Sequence, residues 1–172
     1  MHFIDPYITA YGALALFVII YFEAFGGPLP GESALIASSL LALHGTLNIE
    51  TVLLAVFAGA VLGDCTGYAI GRFGGRRLLL RYGYLVKLTP ELLEKFEKLF
   101  DTKGFYVVIT ARFFILLRQL NGIVAGSMRM NIVHFLTANV IGAAAWTLLW
   151  GFGPYLLSGV LAPYAAHLKA LL

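Results

Sequence analysis

The sequence predicts an all-α polytopic membrane protein, with two re-entrant helical hairpins and about three to four spanning helices in an inverted-repeat plan. Three observations carry that prediction. Of the 172 residues, 60% are hydrophobic and only 12% are charged, against roughly 25% charged in soluble domains, and the mean hydropathy is +0.85. Eight of the twelve Lys and Arg residues (Arg72, Arg76, Arg77, Arg81, Lys87, Lys95, Lys98, Lys103) fall in one stretch between two hydrophobic halves. Each half then reads as a short, broken apolar segment followed by one of full spanning length.

Residues 7–25 are apolar apart from Thr9, several Tyr and Glu23, and as a helix they reach about 28 Å, the thickness of a bilayer's hydrocarbon core. The N-terminus, Met1 to Pro6, has no basic n-region or small-residue cleavage site, so this segment is expected to be retained. Gly26 to Gly31 contains Pro28 and Pro30 and cannot continue a helix. The apolar run after it, Ser33 to Leu43, is only about 16 Å long as a helix, too short to span. Residues 26–45 are therefore read as a hairpin, which is tolerated at membrane depth only where its broken backbone is buried in protein or lines a wet cavity.

From Asn48 to about Arg72 the chain is long enough to cross, with glycines at 59, 63, 67, 71 and 75. A spacing of four keeps them near one stripe, where another helix can approach closely. Without a preceding strand or a Lys-Ser/Thr pair, the stripe is not a nucleotide loop. The basic linker, about residues 72–104, is placed in the cytoplasm by the positive-inside rule. Glu91, Glu94, Glu97 and Asp101 interrupt its positive charge and argue against nucleic acid as a partner. Within it, Thr89-Pro90 reads as the start of a surface helix with Leu92, Leu93, Phe96, Leu99 and Phe100 on one face, ended by Gly104. Residues 105–126 form the second expected hairpin, broken at Asn121-Gly122. Asn131 to Trp150 gives another span, and a last apolar segment follows Pro154. No linker divides the chain, so residues 1–172 are expected to form one membrane-embedded domain. A homo-oligomer is compatible with this plan.

Five ionisable residues lie inside these apolar segments: Glu23 and Glu32 flanking the first break, Asp64 beside the glycine stripe, and Arg112 and Arg118 in the second hairpin. A charge at the bilayer centre costs about 2.5–3.5 kcal/mol on insertion scales, so these side chains are expected to face inward and pair. Three acids against two bases leave one carboxylate without a permanent partner, and a low dielectric pushes such a group toward its neutral form. That makes a proton-coupling site. The planar fork of arginine also suits a phosphate. Arg112 and Arg118 lie about 240° apart around an unbroken helix, so they share a site only if the segment bends. A fixed buried ion network is the competing reading.

Other candidates carry less. His2, His44, His134 and His167 lie near segment ends without the clustering a metal needs, so neither a metal nor a cofactor is expected. Trp146, Trp150 and most Tyr read as lipid-facing or interfacial residues. Ser33, Ser38 and Ser39 lack a nucleophile elbow, and Cys65, the single cysteine, reads as a packing residue. A transporter is expected, not an enzyme.

The segment from Glu23 through Pro28, Pro30 and Gly31 to Glu32 resembles the E-N-x-x-P-P-x-P-G/S-E motif of the DedA family, also called SNARE-associated or VTT-domain proteins. Gly59, Gly63-Asp64, Gly67-Tyr68 and Gly71-Arg72 resemble its G-x-x-x-G-D-x-x-G-Y-x-x-G-R motif. Arg112-Phe113 with Arg118 is similar to its R-F-x-x-x-x-R motif, and Ala125-Gly126, Met130, Phe135, Asn139, Gly142 and Trp146 continue the likeness. It covers about residues 20–150. Ala24 stands where the family usually has Asn, and Gly122 where many members have Pro. The resemblance implies lipid translocation. Bacterial members are associated with returning undecaprenyl phosphate or phosphatidylethanolamine across the cytoplasmic membrane at the expense of the proton motive force, and eukaryotic relatives are scramblases. The expected partners are thus a phosphate-bearing membrane lipid, bound by Arg112 and Arg118, and protons handled by Glu23, Glu32 and Asp64. A proton-coupled exporter of a small ion or cationic solute would use the same acids, and a membrane lipid phosphatase is a third reading.

Overall fold

The computed structural model describes residues 5–75, 77, 90–154, 156 and 157. Arg76, residues 78–89 of the basic linker (with Thr89), most of the final apolar segment, His2 and His167 lie outside them. The described residues form six α-helices: α1 (Asp5–Glu23), α2 (Gly31–Leu43), α3 (Ile49–Ile70), α4 (Pro90–Ala111), α5 (Ile115–Ser127) and α6 (Ile132–Thr147). α3 and α6 each continue into a π-helical turn, Gly71–Gly75 and Leu148–Phe152. With these turns, Ile49–Gly75 and Ile132–Phe152 are the two described helices long and apolar enough to cross a membrane.

Local chemistry sets the boundaries. Asn48 caps α3 by accepting a hydrogen bond from the Thr51 N–H at 3.1 Å, and Asn131 caps α6 by accepting from Val133 and His134. Gly26 (φ 104°) turns the chain after α1. At the end of α5, Arg129 itself takes the left-handed conformation (φ 56°), and the Met130 N–H reaches back to the Ala125 carbonyl at 3.1 Å.

Charged and amide side chains are buried among the apolar core, and large apolar side chains lie on the described surface. Glu23, Asp64, Arg112, Arg118, Asn121 and Asn139 are buried, while Leu54, Leu62, Phe73, Val133, Ile141, Leu148 and Leu149 are at least half exposed. Such a surface matches a hydrocarbon surround, with polar groups turned inward to find partners.

The glycine stripe is the spine of the packing. Gly59 and Gly63 lie against the backbone carbonyls of Phe17 and Tyr21 in α1, while Gly71 and Gly75 lie against Ile123 and Ser127 in α5. α5 returns the approach: added Cβ atoms at Gly122 and Gly126 would meet the carbonyl oxygens of Asp64 and Tyr68. Backbone-to-backbone contact of this kind leaves nothing flexible to yield, so Gly126→Ala is expected to separate α3 from α5 and cost about 1–3 kcal/mol. A thermal melt of the detergent-solubilised variant checks this, and an unchanged midpoint would contradict it.

These contacts give each helix a direction. α1 passes Leu47 at Gly12, Gly59 at Phe17 and Gly63 at Tyr21, so it runs alongside α3 and ends about halfway along it. α2 returns, bringing Leu35 to Gly151 near the far end of α6. α4 enters from the opposite end, where Phe100 packs with Met130, and reaches Asp64 through Arg112. α5 leads back to Gly75. α3 and α6 run antiparallel, with Phe135 stacked on Tyr68 at 4.4 Å and Asn139 bonded to the Val61 carbonyl at 3.1 Å. Two helix–break–helix units thus enter from opposite ends and their breaks meet in the middle.

Three sequence expectations differ. The first unit is α1–break–α2, so the segment read as a full span is an arm that stops level with Gly63. α4 does not end at Gly104 but continues to Ala111, because Gly104 is buried against the Met130 thioether and serves close packing. The second break falls at 112–114, where Phe113 and Phe114 make turn-type bonds to Thr110 and Ala111 and Phe114 is extended. Asn121-Gly122 is helical, with the Asn121 amide donating to the Val108 carbonyl at 2.9 Å and Gly122 packed on α3.

Candidate functional site

The two breaks deliver ionisable side chains to the same level. α1 ends on Glu23 and α2 begins with Gly31-Glu32. α4 stops just before Arg112, and Arg118 sits in the first turn of α5. Asp64 approaches from mid-α3, and Asn139 and Trp146, seven residues apart and so on one face of α6, close the site. Apolar clusters lie on either side, one around Phe135 and Met130 and the other around Leu35 and Val56.

Within this layer the charges form two groups. In the first, one guanidinium nitrogen of Arg112 donates to Asp64 and to Asn139. All three residues are at most 2% exposed. Gly142, one turn from Asn139, leaves room for the Arg112 side chain, and Asn139 also ties α6 to the Val61 carbonyl. Asp64 Oδ1 and Arg112 Nε are buried without a partner among the described residues. In the second group, Arg118 donates to Glu23 at 2.7 Å and lies 3.7 Å from Glu32. Its guanidinium carbon is 4.7 Å from the centroid of the Trp146 ring, a cation–π distance. Glu23 also accepts from the Gly31 N–H, and a Cβ at Gly31 would occupy the position of the Glu23 carboxylate.

All five ionisable residues singled out in the sequence therefore converge. Glu32 differs from the rest: its side chain is 28% exposed and it shares an arginine that Glu23 already holds. It is the acid without a partner of its own. The bend between Arg112 and Arg118 brings both to one small cavity, lined by Ile20, Glu23, Ala24, Ala60, Arg112, Arg118 and Trp146, with a volume of about 10 Å³, room for roughly one water.

The motif residues divide by position. Pro28 and Pro30 are exposed in the first break, Gly31 serves Glu23, and Gly63, Gly67, Gly71 and Gly126 serve helix contact. Tyr68 donates its hydroxyl to the Met130 carbonyl at 2.5 Å, and Arg72 is exposed, away from the centre. Trp146 corrects the interfacial expectation, being 2% exposed and stacked on Arg118; its i+7 relation to Asn139 was the available signal. Asn139 belongs to the site and not to the scaffold alone. Ala24, in place of the family's Asn, makes one cavity wall apolar, and Gly122 seats α5 on the Asp64 carbonyl.

Residues 29–156 match the VTT domain. An uncharacterized membrane protein of Synechocystis is 41% identical over 136 residues, covering 79% of this chain and 62% of that protein. Protein DedA of Escherichia coli K12 is 33% identical over 129 residues, 74% of this chain and 58% of DedA. A Lactococcus lactis protein named alkaline phosphatase-like is 27% identical over 177 residues, 96% of this chain and 83% of that protein. The chain spans about three fifths of the length of the first two. No solved structure matches it.

Proposed function

This chain belongs to the VTT-domain family, and we propose that it is a multi-pass protein of the bacterial cytoplasmic membrane that translocates a phosphate-bearing lipid, driven by the proton motive force. The single observation that carries the reading is the meeting of two chain breaks at a layer of two arginines and three acids, all buried but Glu32. Such breaks are tolerated at membrane depth where they line a substrate path. On this reading α1–α2 and α4–α5 are re-entrant hairpins from opposite faces, each followed by one span, and the two halves form an inverted repeat.

Arg118 is the group that exchanges partners. Its carboxylates can be replaced by phosphate oxygens in the same fork geometry, and Trp146 holds the guanidinium in place while they change. Glu23 and Glu32 are released as they protonate, so proton entry and anion binding are linked. Arg112 fixes the floor. At about 10 Å³ the cavity is too small for a head group, so one enters only when a hairpin moves. An undecaprenyl phosphate or phosphatidylethanolamine head group fits this chemistry. The cavity groups serve binding and proton transfer, so no chemical conversion of the lipid is assigned.

An isosteric amide imitates the neutral acid but cannot release a proton. Glu23→Gln, Glu32→Gln and Asp64→Asn, reconstituted in liposomes, separate coupling from folding. Glu32→Gln is expected to retain wild-type thermal stability and lipid binding and to lose the acceleration by an imposed pH gradient. Asp64→Asn is expected to lower stability, because it weakens the partner of a buried arginine. Wild-type gradient dependence in all three would sink proton coupling.

A further inference from the structure

We propose that a groove on the outer face, between the C-terminal half of α3 and the start of α6, is a docking site for an anionic phospholipid, whose phosphate is bound by Arg72. The groove has a volume of about 420 Å³ and is lined by Cys65, Tyr68, Ala69, Arg72, Phe73, Asn131 and Ile132, within the roughly 300–1,000 Å³ of small-molecule sites. Its five residues on α3 and the π-helical turn that continues it follow i, i+3, i+4, i+7 and i+8, close to one stripe. The groove's polar groups, Arg72 on this stripe and Asn131 at the start of α6, lie at the end that leads into the basic linker, with Cys65 and Ala69 toward the other end. A phospholipid is arranged the same way, acyl chain toward the bilayer centre and anionic phosphate at the surface.

Charge complementarity selects this occupant. Arg72 is exposed and has no ion-pair partner among the described residues, and the anionic cytoplasmic leaflet attracts such cations. Phe73, 84% exposed, and Ile132, 52% exposed, flank the groove with apolar surface. At its inner end the Cys65 sulfur lies 3.8 Å from the Asn139 amide, and that same amide group accepts from Arg112. One residue layer therefore separates the docked lipid from the central charges. As a waiting position for substrate the groove rests on the translocase reading; as a lipid-binding site it does not.

Cys65 is the chain's single cysteine, so its alkylation reports on the groove floor without further engineering. The full chain is placed in phosphatidylcholine vesicles with increasing phosphatidylglycerol, and the rate of N-ethylmaleimide labelling is measured. Phosphatidylglycerol is expected to slow labelling several-fold. High salt, which screens an exposed arginine, and Arg72→Gln should each remove the protection. A salt series on the wild-type chain gives the same decision should that variant fold poorly. Equal rates with and without phosphatidylglycerol, or protection that persists in Arg72→Gln, would overturn the site. Protection by inorganic phosphate alone, or protection that grows with protein density, would overturn a lipid occupant in favour of a free anion or a second copy. Protection with no lipid transport in the same vesicles would leave the docking site standing and refute the translocase, whereas transport without protection would refute the docking site alone.

Discussion

Arg112→Ala is expected to abolish most folded protein, with a loss of about 3–5 kcal/mol, the scale for removing one partner of a fully buried ion pair. The variant leaves Asp64, 1% exposed, without its cation, and leaves the Asn139 carbonyl oxygen without a donor. Both groups are buried, Asp64 at 1% and Asn139 at 0% exposure, with apolar clusters on either side of their layer. Arg118→Ala should cost less, because Glu23 keeps the Gly31 N–H and Glu32 is partly exposed. Size-exclusion profiles and thermal melts in detergent, run for both variants, test the order. Equal losses, or a stable Arg112→Ala, would remove Arg112 from its role as the fixed floor of the site.

The difference between the two arginines was not visible in the sequence, where Arg112 and Arg118 were equivalent cations six residues apart. What was legible followed from rules that depend on composition and spacing. Buried charge must pair, so Glu23, Glu32, Asp64, Arg112 and Arg118 could be grouped before any geometry was known. Glycines every four residues predicted close helix contact, and the structure assigns Gly59 and Gly63 to α1 and Gly71 and Gly75 to α5. The segments read as spans from Asn48 and from Asn131 do begin there, and the structure adds that these two side chains cap α3 and α6.

The errors have a common physical origin. Gly104 and Asn121-Gly122 carry the composition of helix ends, yet both are helical because tertiary contacts with Met130, Val108 and the α3 backbone outweigh local propensity. The real break, at Arg112 to Phe114, holds neither glycine nor proline. It forms where Arg112 turns to reach Asp64 and Asn139, a long-range demand that no local pattern encodes. Trp146 was assigned to the interface on residue type, but its neighbour is a buried guanidinium. In a membrane protein the aromatic belt is a prior about depth, and depth along α6 was unknown until its direction was.

Translocation itself gives the second large effect, through Arg118→Lys. Lysine keeps the charge but not the planar fork that binds two anionic oxygens at once, and losing a charge-assisted hydrogen bond is worth roughly 1.5–3 kcal/mol, or about a tenfold to a hundredfold change. Stability should change little, because an ammonium can still neutralise Glu23. The decisive measurement is the rate at which liposomes containing the purified chain flip a fluorescent phosphate-bearing lipid, for wild type and Arg118→Lys, with a matched lipid lacking the phosphate as reference. The account predicts phosphate-dependent flipping by the wild-type chain that falls at least tenfold in Arg118→Lys while the melt is unchanged; flipping that ignores the phosphate, or survives the substitution at full rate, would contradict it.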